Sequence, residues 1–412
     1  MVDSVSRRRV LQGAAASGAV SLAGCTNSGG GDSTIRLGIT QPLTGTYASV
    51  GENNITSVRT TVELWSEEMD AEIETFERDT EGDPTTGSRA ARELIQEENV
   101  HLVTGSYSSA VALAINQVAQ QQGVPYITTP GSQAFSGADC TRYGFGSNPT
   151  TNATTRAIAT YAMENLGNSF YTMTHNYTAG TEGTAKAEQV INDGGGSIEG
   201  NSLIDLGQSD MSSAITSAID SGADIMLTNV FAGDLATLLS QAREFGAFDE
   251  MTICCSSIDL ESVFSLGPET IQGLYGTPQG WWTQENERFQ NEFLPAFRER
   301  LDREAGMGAS NIYASLYTAF NVMSELDSPS NSEQFVRNLE GKEWDIKTYG
   351  ENRGGQYFRK CDHRCPLPIP VAEAKSLEEA RSQYDLLDIT QYIEPNQAFA
   401  SCQEAGCQMP DY

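Results

Sequence analysis

Short β-rich runs alternate with amphipathic helical stretches along most of this chain, from Thr34 onward. The β-rich run 35–39 precedes a helical pattern over 51–69, and a second β-rich run follows at 71–76. Asp83-Pro84 then predicts another helix start, because aspartate accepts bonds from free N–H groups and proline suits the first turn. Repeated βα units call for a parallel sheet with helices on both faces. The sequence therefore predicts an α/β fold.

The alternation resumes after Asn148-Pro149 and continues to Cys255, which predicts a second doubly wound parallel sheet. The roughly 380 residues from Thr34 onward are too many for one simple core and suit two lobes of ordinary domain size. Three helical patterns, over residues 285–304, 312–326 and 332–339, follow the second unit, and we expect them to return to the first lobe. The final segment, 349–412, is less regular. The predicted boundaries are residues 34–149 plus 281–343 for lobe 1, and 150–280 plus 344–412, with a Cys-rich C-terminal extension, for lobe 2.

The N-terminal residues carry two export signals in order. Ser6-Arg7-Arg8-Arg9-Val10-Leu11 fits the twin-arginine pattern, and a short Ala- and Gly-rich apolar stretch leads to Leu22-Ala23-Gly24-Cys25. That tetrapeptide resembles a lipobox, in which the chain is cut before Cys25 and the thiol receives a lipid. The apolar stretch is too short for a permanent membrane span, although an ordinary amphipathic helix is the alternative. We expect a signal peptide at 1–25, a flexible Gly/Ser linker at 26–33, and a body held by its lipid on the extracellular face of the cell membrane.

The net charge of −30 constrains the partners. Such an excess of carboxylates repels nucleic acid and anionic lipid headgroups, so neither is an expected partner. The acidic residues are spread along the chain, and there are only five lysines. An evenly acidic, lysine-poor surface is favoured in concentrated salt, where screening weakens self-repulsion. The composition therefore indicates a halophilic protein.

Seven cysteines remain besides Cys25, and an exported chain permits disulfides. Two structural disulfides are expected from the C-terminal cluster, whose connectivity the sequence leaves open. A zinc site is the alternative for the same four thiols. Because seven is odd, at least one thiol is unpaired, and Cys254 or Cys255 is the natural candidate. The C-terminal cluster consists of Cys361, Cys365, Cys402 and Cys407.

Three loops of the first lobe are rich in Gly, Ser and Thr and follow predicted strands, where parallel sheets bind ligands. Ser108 and Ser109 open the helix after the third strand, so Ser109 can offer its hydroxyl and the helix N-terminus to an anionic oxygen. The alternative is that both serines merely cap the helix. The three loops are residues 43–51, 105–109 and 129–133.

Successive blocks of the chain resemble one family: residues 35–51, Asp79-x-x-Gly82-Asp83-Pro84, Gly105-Ser106-Tyr107-Ser108-Ser109, and the stretch 124–132. The order and spacing of these blocks are similar to those of type I periplasmic-binding proteins of the branched-chain amino acid and amide group, the solute receptors of ABC importers. The resemblance continues to the R-x-x-D-H block at Arg359–His363. It implies two lobes joined by a hinge, with a small ligand held between them.

The resemblance also implies ligand-binding positions. In that family a ligand carboxylate is held by the serine that matches Ser109 and by the loop that matches Gly131-Ser132-Gln133. The first loop supplies an aromatic side chain; here Tyr47 lies in that loop, and Val50 is the matched position. Tyr177 and Phe231 match positions that cover the apolar part of the ligand.

Amino-acid binders of the family place an acid after the strand that here is predicted to end at Cys254-Cys255. This chain has Ser256-Ser257 there, and its nearest acid is Asp259. The departure makes an amide, urea or small carboxylate as suitable a ligand as an amino acid. Ser256 and Asp259 complete the set of candidate ligand-binding residues.

The predicted function is that of a lipid-anchored solute-binding protein that passes its ligand to ABC permease subunits. No cofactor and no metal are expected, and the common catalytic motifs of hydrolases and nucleotide-binding enzymes are absent from the sequence. Two alternatives stay open. One is the ligand-binding subunit of a sensory receptor, and the other is an extracellular hydrolase.

Overall fold

A computed structural model describes residues 34–45, 47–279, 286–348 and 356–409. The predicted twin-arginine signal, the linker and Cys25 lie outside these residues, as does part of the 281–343 segment. No helix within the described ranges is long and apolar enough to cross a bilayer.

The first half of the chain alternates strands and helices as predicted. Asp83 caps the second helix by accepting a hydrogen bond from Thr86 N, and Pro84 opens that helix. The elements are β1 (Ile35–Gln41), α1 (Ala48–Met69), β2 (Ile73–Asp79), α2 (Pro84–Gln96), β3 (Leu102–Gly105), α3 (Ser109–Gln122), β4 (Tyr126–Thr128) and β5 (Gly144–Gly146).

The second half repeats the alternation. Its elements are α4 (Thr151–Asn165), β6 (Ser169–His175), α5 (Thr178–Asp193), β7 (Ser197–Ile204), α6 (Ser212–Asp220), β8 (Ile225–Asn229), α7 (Ala232–Glu244), α8 (Ala247–Glu250), β9 (Thr252–Ile258), α9 (Leu260–Leu266), α10 (Pro268–Ile271) and β10 (Leu274–Pro278).

The remaining elements differ from the prediction in two places. The long helix expected over 285–304 is instead a π-helical turn at Phe289–Phe293 followed by a short α-helix, and the C-terminal segment, expected to be irregular, contains two strands. These elements are α11 (Leu294–Arg300), α12 (Ala309–Ser324), α13 (Ser332–Leu339), β11 (Ile369–Ala374), β12 (Leu387–Ile393), α14 (Pro395–Ala398) and α15 (Cys402–Ala405).

Two separate sheets are formed. The first has the order β2-β1-β3-β4-β5, and all of its strands are parallel. The second repeats this order in β7-β6-β8-β9-β10 and then adds β11 and β12 as antiparallel edge strands. The predicted fold class, two doubly wound and mainly parallel sheets, is confirmed. In such a sheet ligands bind beyond the carboxyl ends of the strands, where the strand order reverses.

Helices cover both sheets, and each sheet has its own core. Trp65 of α1 packs edge-on against Phe320 of α12 over the first sheet. That core also contains Phe358 and Leu367, from a segment that we assigned to lobe 2 on sequence. The core of the second sheet includes Phe170 and, from the C-terminal segment, Phe399. The exact lobe boundaries stay a prediction.

The cysteines form two disulfides, Cys140–Cys407 and Cys361–Cys402. The expectation that both bridges come from the C-terminal cluster alone is wrong, because Cys365 is a free thiol inside the first core and Cys140 takes its place. Cys254 and Cys255 are free and buried, as predicted. Within the described residues, no group of three or more potential ligands is arranged to hold a metal ion.

Candidate functional site

A cavity lies where the strand ends of the two sheets face each other, and its lining atoms leave about 390 Å³ of empty space, the opening to solvent included. The first sheet contributes loops that follow β3, β4 and β5, and the second contributes residues after β6, β8 and β10 and at the end of β9. The first-sheet lining is Tyr107, Ser109, Thr129, Gly131, Asn148, Pro149 and Thr151, and the remaining lining is Tyr177, Ala179, Phe231, Ser257, Gln279 and Met307.

Ser109 is the polar centre of the first-sheet wall. Its hydroxyl oxygen accepts a hydrogen bond from Ser132 N over 3.1 Å, and no acceptor among the described residues takes its hydrogen. The alternative that both serines merely cap helix α3 does not hold. Ser108, the residue before α3, makes no side-chain cap bond, and the Ser109 hydroxyl bonds to the loop after β4 instead. The Ser109 hydroxyl can therefore donate to an oxygen in the cavity, beside the N-terminus of α3.

Gly131 keeps the cavity open beside Ser109. A Cβ atom at this position would lie 3.0 Å from Thr151 Oγ1 and 3.6 Å from Ser109 Oγ. Any side chain would fill the space in front of the Ser109 hydroxyl. The small residue therefore matters for access and not for backbone conformation.

A buried guanidinium holds this loop from behind. Arg364 is 1 % exposed, and its Nη1 donates to the carbonyl oxygens of Pro130 and Asn148 at 3.0 and 2.9 Å. Its Nη2 donates to Ser132 O at 3.2 Å, and its Nε to Ser136 Oγ at 2.8 Å. Burial lowers the pKa of Arg364 to about 10, so the side chain remains a cation at neutral pH. Arg364 thus fixes the loop and makes its surroundings favourable for anions.

Aromatic rings form the opposite wall. The rings of Tyr177 and Phe231 meet edge to face at 6.1 Å, and His175 contacts both. The imidazole is held by a 2.9 Å hydrogen bond between His175 Nε2 and Asp234 Oδ2. Burial raises the pKa of the Tyr177 phenol, so it stays a neutral donor. The wall can cover an apolar or aromatic group.

The structure places the predicted site residues in two groups. Four of them line the cavity: Ser109, Gly131, Tyr177 and Phe231. The others lie around it. Tyr47 and Val50 form a small apolar cluster with Ala232, and Tyr107 packs against that cluster. Ser108 precedes α3, and Ser132 and Gln133 donate hydrogen bonds to Glu182. Ser256 is buried in β9, and Asp259 directly follows that strand.

Asp259 corrects the expectation about the missing acid. Strand β9 continues to Ile258 instead of ending at Cys255, so Asp259 is the first residue after it. Asp259 is 1 % exposed, and neither carboxylate oxygen has a hydrogen-bond partner in the described part of the chain. Burial raises the pKa of Tyr107, which lines the cavity, and the Asp259 carboxylate is close enough to raise it further. The carboxyl end of β9 therefore carries an acid next to the site.

Tyr107, Arg364 and Glu182 stand out among the contributors that were not predicted from the sequence. Tyr107 stands inside a motif that we singled out but was given no role. Arg364 directly follows the Arg359–His363 block, and that adjacency was the one signal that could have pointed to it. Glu182 had no local signal, because only the fold brings α5 to the loop after β4.

Comparison with known proteins agrees with this architecture. Residues 34–380 match a family described as periplasmic binding protein. A curated relative, Leu/Ile/Val-binding protein homolog 6 of Brucella abortus (strain 2308), is 21% identical over 326 residues, covering 75% of this chain and 81% of its own.

Solved structures share the fold. An amino acid ABC transporter substrate-binding protein from Pseudomonas fluorescens Pf-5 superposes with a TM-score of 0.83 at 20% identity, covering 91% of this chain and 99% of its own. A solute binding protein of an ABC transporter from Rhodopseudomonas palustris BisB5, in complex with 3,4-dihydroxy benzoic acid, gives a TM-score of 0.77 at 19% identity, with coverages of 88% and 97%. On the family match over most of its length, this chain belongs to the periplasmic binding protein family.

Proposed function

We propose that this chain is the solute-binding protein of an ABC importer and that it captures a small carboxylate-bearing solute. One observation carries the proposal: the Ser109 hydroxyl, whose hydrogen has no acceptor among the described residues, faces the Tyr177–Phe231 wall of the second sheet across the cavity. A polar anchor opposite an apolar cover is the arrangement that fixes the orientation of a small organic acid.

Each wall of the cavity suits a different part of the solute. The carboxylate of the solute would accept from Ser109 beside Gly131, and its apolar or aromatic part would lie against Tyr107, Tyr177 and Phe231. The names of the relatives support amino acids and aromatic acids as candidates. An amino acid would in addition need a partner for its ammonium group, and Asp259 is the acid in position to supply one.

Capture would proceed by closure of the two sheets around the ligand. The solute first contacts one wall, and the second wall completes the contacts only when the cleft shuts, so binding shifts the population toward the closed form. The permease subunits would recognise that closed form. The twin-arginine signal and Cys25 support export and a lipid anchor at the extracellular face of the membrane.

A matched pair of serine variants tests the site. Wild type, Ser109→Ala and Ser108→Ala would be titrated calorimetrically with L-leucine, L-phenylalanine, benzoate, 4-hydroxybenzoate and, as a neutral comparison, urea. We expect at least one carboxylate to bind wild type and Ser108→Ala alike. A hydrogen bond to a charged group contributes about 1.5–3 kcal/mol, so Ser109→Ala should bind that ligand about 10–150-fold more weakly.

Equal affinity in Ser109→Ala would refute the anchor while leaving a solute-binding function standing. The function itself is tested by mass spectrometry of small molecules released from natively purified protein. Recovery of no organic solute, together with no binding in the titrations, would argue against it.

A further inference from the structure

Glu182 makes the least expected contact at the cleft. It lies on helix α5 of the second half, yet its Oε1 accepts from Ser132 Oγ over 2.9 Å and its Oε2 accepts from Gln133 N over 2.7 Å. Both donors belong to the loop after β4, on the first sheet. A carboxylate from one side of the cleft thus occupies a two-donor site on the other side.

The donors are oriented toward an anion. The Ser132 oxygen accepts a 3.1 Å bond from Ala134 N, which leaves the hydroxyl hydrogen for Glu182. A hydroxyl and a backbone N–H that converge on two oxygens of one carboxylate form strong, charge-assisted hydrogen bonds.

Charge behind the loop completes the site. Arg364 donates to Ser132 O, and all four of its side-chain bonds go to uncharged oxygens. No arginine, lysine or histidine of the described residues lies within ion-pair distance of Glu182. The loop is therefore polarised between a buried cation on its inner side and the Glu182 carboxylate on its outer side.

We propose that Glu182 fills an anion site of the first-sheet loop with the protein's own carboxylate, so that it locks the cleft shut and keeps ligand carboxylates away from Ser132 and Gln133. The first effect follows from the contact itself. The second rests on the proposed function: it confines the ligand's carboxylate to Ser109 and Gly131 and makes Glu182 a specificity-determining residue.

Chemical rescue with formate tests the lock without any knowledge of the solute. Glu182→Ala empties the two-donor site, so its melting temperature should fall below that of wild type. Sodium formate should then raise the melting temperature by a few degrees more than sodium chloride of equal ionic strength. Wild type should show no difference between the two salts, and neither should Glu188→Ala, which removes an exposed glutamate of the same helix.

Two further variants locate the formate. Adding Ser132→Ala to Glu182→Ala should abolish the formate effect, whereas adding Ser108→Ala should leave it intact, because the Ser108 side chain makes no cap bond. Glu182→Gln retains the side-chain volume but loses the second acceptor oxygen. Its melting temperature should therefore lie below that of wild type and should not rise with formate.

A formate-insensitive Glu182→Ala, or a Glu182→Gln as stable as wild type, would overturn the proposal. Should Glu182→Ala fail to fold, Glu182→Gln alone decides the matter by its melting temperature. None of these outcomes depends on solute binding, so a failure here is distinct from a failure of the Ser109 anchor.

Discussion

Glu261 shows how a single buried carboxylate can make the stability of this protein depend on pH. Its Oε2 accepts from Met307 N over 3.2 Å, and its Oε1 is buried without a partner among the described residues. Gly306 permits the approach, because a Cβ there would lie 1.9 Å from Glu261 Oε1. Burial, and after it the neighbouring Asp259, raise the pKa of Glu261 well above its ordinary value of 4.5.

The sign of the resulting pH dependence follows from proton linkage. A carboxyl with a raised pKa in the folded state retains its proton where the unfolded chain has lost it, so its stabilisation is fully present below pH 4.5 and is lost as the pH rises. Glu261→Gln should therefore be more stable than wild type at neutral pH, and the difference should shrink toward pH 4.5. Urea unfolding at a series of pH values measures it.

Glu269→Gln is the control for this prediction, since Glu269 is an exposed glutamate on the nearby helix α10. A gain in stability at neutral pH that appears in Glu261→Gln and not in Glu269→Gln would belong to the buried carboxylate and not to the loss of a surface charge. A Glu261→Gln curve that stays parallel to wild type would show that folding does not raise the pKa of Glu261.

At the scale of single residues, the sequence could predict contacts only where a local motif carries them. Ser109 and Gly131 lie in short motifs at strand ends, and both line the cavity. Ser132 and Gln133 lie in the same motif, but a side chain from α5, about fifty positions along the chain, takes their donors. No local pattern reveals a partner at that separation, nor the buried Arg364 behind the loop.

At the scale of helices and strands, the βα alternation predicted most elements because each buries a periodic apolar face. The predicted elements were wrong where tertiary contacts lengthen a strand or create one without a local sequence pattern. Strand β9 incorporates two serines because β10 pairs with it through Cys254 and Cys255 and again at Ile258. Strands β11 and β12 add to the edge of the second sheet in antiparallel orientation, and a βα alternation in the sequence does not predict such strands.

Helix α4, which opens the second half, depends on a cap that can be tested. Thr150 Oγ1 accepts from Ala153 N over 3.1 Å, and Thr150 is 1 % exposed. Thr150→Ala leaves that N–H without its acceptor and should reduce the free energy of unfolding by about 1 kcal/mol. Chemical denaturation measures the loss.

Thr150→Ser keeps the hydroxyl and should recover most of that stability. If serine proved as destabilising as alanine, the threonine methyl group and its packing would be responsible instead of the cap.

At the scale of the whole molecule, the C-terminal segment links the two sheets covalently. Phe399 packs in the core of the second sheet, whereas Cys402 and Cys407, a few residues later, are bonded to Cys361 and Cys140. Cys140 precedes β5 of the first sheet, and Cys361 lies beside His363, which stacks on Phe145 of that strand at 4.1 Å. Both disulfides therefore join a segment anchored on one sheet to the other sheet.

Such a tether should limit how far the cleft opens when no solute is bound. Each bridge alone holds the segment, so Cys140→Ser/Cys407→Ser and Cys361→Ser/Cys402→Ser should each keep the radius of gyration of wild type, although each should lose about 2–4 kcal/mol of stability. The variant that lacks both bridges should show a larger radius of gyration by small-angle X-ray scattering, because its open forms become accessible. Circular dichroism would confirm that this variant is folded. An unchanged radius of gyration would then mean that noncovalent contacts across the cleft are enough to hold the two sheets together. The bonds of Glu182 to the loop after β4 are among those contacts.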